Sequence, residues 1–170
     1  MSQYRIIDGA PKLAARTGTT GSAARGQRVA MVAAKFNADI VDALVAGASA
    51  AWARQGGESA GLALVRVPGA FELPLVARRL AASGQYDAII AFGCVIRGDT
   101  AHFDFVAGEA ARGVADAARD TGVPVIFGVL TTENIEQAIE RSRPERMDKG
   151  GEAMDAALEM AHLLRAIAAP

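Results

Sequence analysis

The chain has 170 residues, 51% of them hydrophobic, which suits one folded domain with a proper core. A formal net charge of -1 with no basic block argues against a nucleic-acid surface, and no apolar stretch reaches the roughly 18 residues of a membrane span. The single cysteine, Cys94, excludes an internal disulfide and fits a reducing, cytoplasmic setting; with only two histidines beside it, a zinc site is not expected.

Residues 1–26 (MSQYRIIDGAPKLAARTGTTGSAARG) carry no sustained period and lack the apolar centre of a signal peptide. They read as a flexible tail, although poverty in acids is also a trait of transit peptides. The TGTTG within it looks like a flavin-phosphate loop, but it precedes the first strand instead of following one. RVAMVAA (28–34) is a continuous apolar run, as a strand buried on both faces requires. Ile40, Val41, Leu44, Val45, Ala48 and Trp52 then keep helical spacing until Gly56-Gly57 stops them. LALVRV (62–67) is a second strand, Pro68-Gly69 turns the chain, and Phe71 to Ala82 reads as a helix ended by Gly84. AIIAFGCVI (88–96) is a third strand, followed by a helix from Phe103 to Arg119. VPVIFGVL (123–130) is a fourth strand, Asn134 to Arg141 a short helix, and Gly151 to Ile167 a last one.

Strands alternating with helices imply a parallel sheet with right-handed crossovers and helices on both faces. The expectation is a single domain over 27–170, a three-layer α/β/α sandwich around a four-stranded parallel sheet. Ligands bind such sheets beyond the carboxyl ends of the strands. The polar residues do gather there: Lys35-Phe36-Asn37, then Pro68 to Glu72, then Arg97 to His102, then Thr131 to Asn134.

Several of these residues allow two readings on pattern alone. His102 is either a general acid/base or a helix-start residue bonded to a neighbour. Gly98-Asp99-Thr100 before a helix is either an anion turn or a plain cap, and the charge of Asp99 suits a phosphate only if it points away. Phe36 and Asn37 offer a stacking face and an amide, or a hydrophobic plug and a helix cap. Glu72 could accept hydroxyls of a polyol, or simply suit a helix start. Arg141 and Lys149 flank a charged loop that is either solvated or an anion clamp. Cys94 reads as core and His162 as structural.

The stretches KFNADI, VPGAFELPL, GCVIRGDTAHFDFV, VPVIFGVLTTENIEQAIERS and DKGGEA resemble, in this order, the successive motifs of the lumazine synthase family. The resemblance covers Arg28 to Ile167. It implies a flavodoxin-like fold and condensation of 5-amino-6-ribitylaminouracil with 3,4-dihydroxy-2-butanone 4-phosphate, without metal or organic cofactor. By motif position, Phe36 would stack on the pyrimidine and Asn37 would hold the ribityl chain. Ala70, Phe71 and Glu72 would bind ring and ribityl chain, and Cys94, Val95 and Ile96 would face the ring edge. Gly98, Asp99 and Thr100 would cradle the phosphate, and His102 would move protons. Phe127, Arg141 and Lys149 match positions that the family supplies from a neighbouring subunit, Arg141 on the phosphate. The resemblance further implies a homo-oligomer of pentamers, with Arg5 to Ile7 adding a strand to a neighbour's sheet. Shell-forming members carry a Gly-Asn-containing turn between the last two helices. SRPERMDKGG lacks it, so a free pentamer is favoured over a decamer or a shell of sixty chains. A protein that only captured flavin or lumazine would need no proton shuttle such as His102, and a scaffold would need neither His102 nor the cations Arg141 and Lys149.

Overall fold

A computed structural model describes residues 21–168. Four strands form one parallel sheet: β1 (Val29–Ala34), β2 (Leu62–Val67), β3 (Ala88–Ile96) and β4 (Val125–Thr132), in spatial order β2-β1-β3-β4. Five helices follow or connect them: α1 (Ala38–Arg54), α2 (Leu73–Ala81), α3 (His102–Thr121), α4 (Ile135–Ser142) and α5 (Lys149–Ala168).

Alternation along β1 and β3 separates the two faces. Val29, Met31, Ala33, Ile90 and Phe92 join a core with α1 and α5, while Ala30, Val32, Ile89 and Ala91 join a core with α2 and α3. Side chains two apart share a face, so a run that is apolar throughout feeds both layers. All six residues of β1 are buried, whereas β2, at the sheet edge, exposes Leu64 and Arg66. The result is the flavodoxin-like three-layer sandwich. Its strand order reverses direction at β1, leaving a crevice between β1 and β3 at their carboxyl ends.

Boundaries differ from the sequence reading where backbone chemistry decides them. The stretch read as one helix from Phe71 divides into a 3-10 turn, Ala70–Glu72, and α2. Pro74 lies in the first turn of α2, where its missing N–H costs nothing. β4 runs two residues further than expected, because Thr131 and Thr132 pair with Val95 and Ile96. α5 begins at Lys149, two residues before the expected start at Gly151, and runs through the glycine pair. A β-carbon at Gly150 would strike the Leu44 carbonyl, and one at Gly47 would strike the Asp148 carboxylate. These glycines are therefore contact residues that let α1 and α5 approach closely. Asp148 Oδ1 accepts from Gly151 N (3.0 Å) and so caps the helix start beside Lys149.

Residues 21–26, read as the end of a tail, are packed. Gly21 N donates to Arg54 O (2.7 Å), Ala24 N donates to Gln55 O (3.0 Å), and Ala23 and Ala24 are buried. His162 Nε2 reaches Ala23 O at 2.8 Å, which gives this histidine a structural task. The rest of the tail, including Arg5 to Ile7, lies outside the described residues.

Candidate active site

A cleft of about 800 Å³ opens at the carboxyl ends of β1, β2 and β3. Each of its walls is held by a specific local bond. At the end of β1, Lys35 N donates to Val67 O (2.8 Å) and Phe36 N donates to Pro68 O (3.1 Å), which ties this turn to that of β2. Phe36 is 70% exposed, so its ring faces the cleft with little packed against it. Asn37 adopts the left-handed conformation (φ 54), which asparagine tolerates better than most residues. Its side chain does not cap α1; Nδ2 donates to Cys94 O at 2.9 Å, across to β3.

From β2 the chain enters the 3-10 turn. Glu72 Oε2 accepts from Gly69 N at 2.9 Å, and this bond fixes the carboxylate at the cleft mouth. Ala70 and Phe71 line the same wall, Phe71 well exposed. From β3 come Cys94, Val95 and Ile96, followed by Gly98, Thr100 and His102. A β-carbon at Gly98 would meet open space, so its backbone is open to approach. Thr100 Oγ1 accepts from His102 N (3.3 Å), leaving the hydroxyl hydrogen to donate elsewhere. Asp99 is exposed and is not among the lining residues. Burial pushes the Cys94 thiol up to about 11, so this cysteine is a wall residue and not a nucleophile.

Phe127, Arg141 and Lys149 are absent from this cleft. They line a second cavity, about 340 Å³, with Ile126, Gly128 and Glu152 beside β4. Phe127 is exposed there, Arg141 Nη1 donates to Gln137 O (3.1 Å), and Lys149 Nζ pairs with Glu152 (2.6 Å). The structure thus gathers Phe36, Asn37, Ala70, Phe71, Glu72, Cys94, Val95, Ile96, Gly98, Thr100 and His102 in one cleft, leaves Asp99 outside its lining, and sets the two cations and Phe127 apart.

Cleft residues to which the sequence reading gave no role in the site are Pro68, Gly69, Phe103, Phe105 and Val106. The signal for the last three was available in HFDFV, an aromatic-rich first turn on a helix whose buried residues begin only at Ala110. Among the described residues there is no cluster of three His, Cys, Asp or Glu side chains able to hold a metal, and no helix long and apolar enough to cross a membrane.

Fold and cleft together define a flavodoxin-like α/β protein with a site suited to a flat ring, a polyol and an anion. Comparison with known proteins narrows this. Residues 26–165 match the model of the family described as 6,7-dimethyl-8-ribityllumazine synthase. A protein of that name from Chlorobium phaeovibrioides is 50% identical over 147 residues, covering 86% of this chain and 95% of its own length. Another, from Nitratidesulfovibrio vulgaris strain DP4, is 53% identical over 141 residues, covering 83% of this chain and 90% of its own. The chain belongs to the 6,7-dimethyl-8-ribityllumazine synthase family.

Proposed function

We propose that this chain condenses 5-amino-6-ribitylaminouracil with 3,4-dihydroxy-2-butanone 4-phosphate to give 6,7-dimethyl-8-ribityllumazine, phosphate and two waters. The observation that carries the reading is the convergence, from three strand ends, of Phe36, Asn37, Glu72, Gly98, Thr100 and His102 in one cleft. In this reading the pyrimidine stacks on Phe36 against the ends of Cys94, Val95 and Ile96. Asn37, Ala70, Phe71 and Glu72 receive the ribityl chain.

The amine attacks the ketone, and the carbinolamine loses water to an imine. Phosphate then leaves, the product tautomerises, and the second amine closes the ring with loss of the second water. Each step relocates a proton near neutral pH, which suits the imidazole of His102. Holding two substrates in register supplies much of the acceleration. The amides and hydroxyl of the 98–100 turn receive the phosphate. Asp99, exposed and outside the lining, would contribute through its backbone.

Arg141 and Lys149 complete the site from a neighbouring copy, Arg141 on the phosphate and Phe127 beside the ring. Their separate cavity is what a head-to-tail ring requires, since each copy then offers one half-site on each side. We assign a pentamer in a reducing cytoplasmic setting, supported by the SRPERMDKGG loop and by the lone, buried Cys94.

Mixing the protein with both substrates, while following lumazine absorbance and phosphate release, tests the reaction. Turnover no faster than the spontaneous condensation would sink it. Light scattering tests the assembly; a mass other than five chains would exclude the free pentamer.

A further inference from the structure

Arg97 is the first residue beyond β3 and stands directly before the 98–100 turn. Its guanidinium does three things at once. Nε donates to both carboxylate oxygens of Glu133 (3.2 and 2.9 Å). Nη1 donates to Asp104 Oδ1 (3.3 Å). Its plane lies over the Phe103 ring, 4.1 Å from the centroid. Its backbone N also donates to Thr132 O (2.9 Å), so both ends of the residue are tied to the β4–α4 connection. Glu133 is itself anchored, since its N donates to Gln137 Oε1 (3.0 Å) on α4. The hydrogen bond to Glu133 first, and the charges of Glu133 and Asp104 after it, raise the Arg97 guanidinium above its ordinary value.

Asp104 is the acid in the first turn of α3. An acid at that place ordinarily folds back onto the free amides and the positive end of the helix dipole. In this protein the first amide of α3, His102 N, donates to Thr100 Oγ1 (3.3 Å), and the Asp104 carboxylate is drawn to Arg97. A phosphate at the 98–100 turn would lie near the positive end of that dipole. A carboxylate folded back to that place would compete with it and act as a built-in inhibitor.

We propose that Arg97 is a positioning residue that keeps the anion turn clear of the protein's own carboxylates. It draws Asp104 and Glu133 away from the turn, offsets one of their two negative charges, and fixes the turn to the β4–α4 connection. This rests on the phosphate-turn assignment above. A lysine cannot replace it, because a single ammonium lacks the fork that reaches both carboxylates while stacking on Phe103.

The test uses the full chain, Arg97→Met, and the triple variant Arg97→Met/Asp104→Asn/Glu133→Gln. Each substrate is varied separately, and inorganic phosphate binding is measured by calorimetry. Arg97→Met should raise the KM for the phosphate substrate and the Kd for inorganic phosphate about tenfold, the scale of losing two exposed ion pairs beside an anion site. The KM for the pyrimidine substrate should move less than about twofold, because only the anion end of the site is disturbed. The triple variant should recover phosphate binding to within about threefold of the parent, since the competing charges are gone. Unchanged phosphate binding in Arg97→Met overturns the proposal. So does an equal rise in both KM values, or a triple variant as weak as the single one. A parent protein that binds phosphate but shows no turnover would instead overturn the reaction, and the calorimetric comparison would still read the role of Arg97.

Discussion

The cleft over β1, β2 and β3 presents an imidazole, an amide, a carboxylate and aromatic faces, but no lysine or arginine among its lining residues. The cavity beside β4 presents Arg141, Lys149 and Phe127, and no imidazole. A phosphate at the 98–100 turn would therefore meet oriented dipoles from one cavity and full charges only from the other. Dipoles place an anion, and a guanidinium also neutralises it as it departs. In the proposed reading, proton transfer and charge neutralisation fall in two separate cavities of one subunit, so each cavity would need a second copy to complete it.

The strongest way to break this comparison is to disable each flank in turn. His102→Ala should lower kcat by about a hundredfold to a thousandfold, the usual weight of a positioned general acid/base. Its substrate KM values should stay within about threefold, because imidazole loss does not remove the binding contacts. If the flanks meet only between copies, co-assembling His102→Ala with Arg141→Ala should restore activity at about a quarter of the interfaces in an even mixture. No recovery after confirmed co-assembly would place both residues in one subunit's site.

Next in size is the support beneath Lys149. Gly150→Ala should destabilise the fold by about 1–3 kcal/mol, because its β-carbon has no room against α1. Thermal unfolding measures this; an unchanged melting temperature would show that α5 shifts freely. Arg141→Ala should raise the KM for the phosphate substrate by about tenfold to a hundredfold, as for a lost charged hydrogen bond, and leave the pyrimidine KM nearly unchanged. Phe36→Ala should do the reverse, raising the pyrimidine KM by about tenfold through lost stacking. Equal effects on both substrates from either variant would blur the division between the flanks. The smallest expected signal is at Cys94. With its thiol pushed up to about 11, it should resist iodoacetamide at pH 8 until the protein is unfolded. Fast labelling of the folded protein would show that the cleft wall opens.

The sequence showed the strands well, because RVAMVAA and AIIAFGCVI are apolar runs bounded by turns, and burial on both faces demands such runs. It showed β4 less well, since Thr131 and Thr132 look like loop residues until their ladder to β3 is seen. The sequence pattern starts α5 at Gly151 and gives Gly150 and Gly151 no role. Only the nearness of α1, a tertiary fact, turns them into packing residues. Within the site, residue types at strand ends pointed to ring, anion and proton chemistry, and the resemblance carried by five motifs gave each a role. Two things were not legible. Asn37 could be read as a cap or as a ligand-facing amide, and its bond to β3 depends on a left-handed backbone that no local pattern announces. Arg97 was counted among the strand-end residues but given no role, because its partners Asp104 and Glu133 lie seven and thirty-six residues away.

The bond from Asn37 has a further consequence. Pairing between β1 and β3 ends at Ala33 and Phe92, and the Cys94 carbonyl lies two residues past it. The Asn37 side chain supplies the missing rung, so the sheet is finished by an amide that belongs to no strand. Hydrolysis of that amide to a carboxylate would replace the nitrogen with oxygen and set acceptor against acceptor. The mouth of the cleft is thus pinned by an atom that chemistry can wear out, which makes position 37 a place where the protein can age without unfolding.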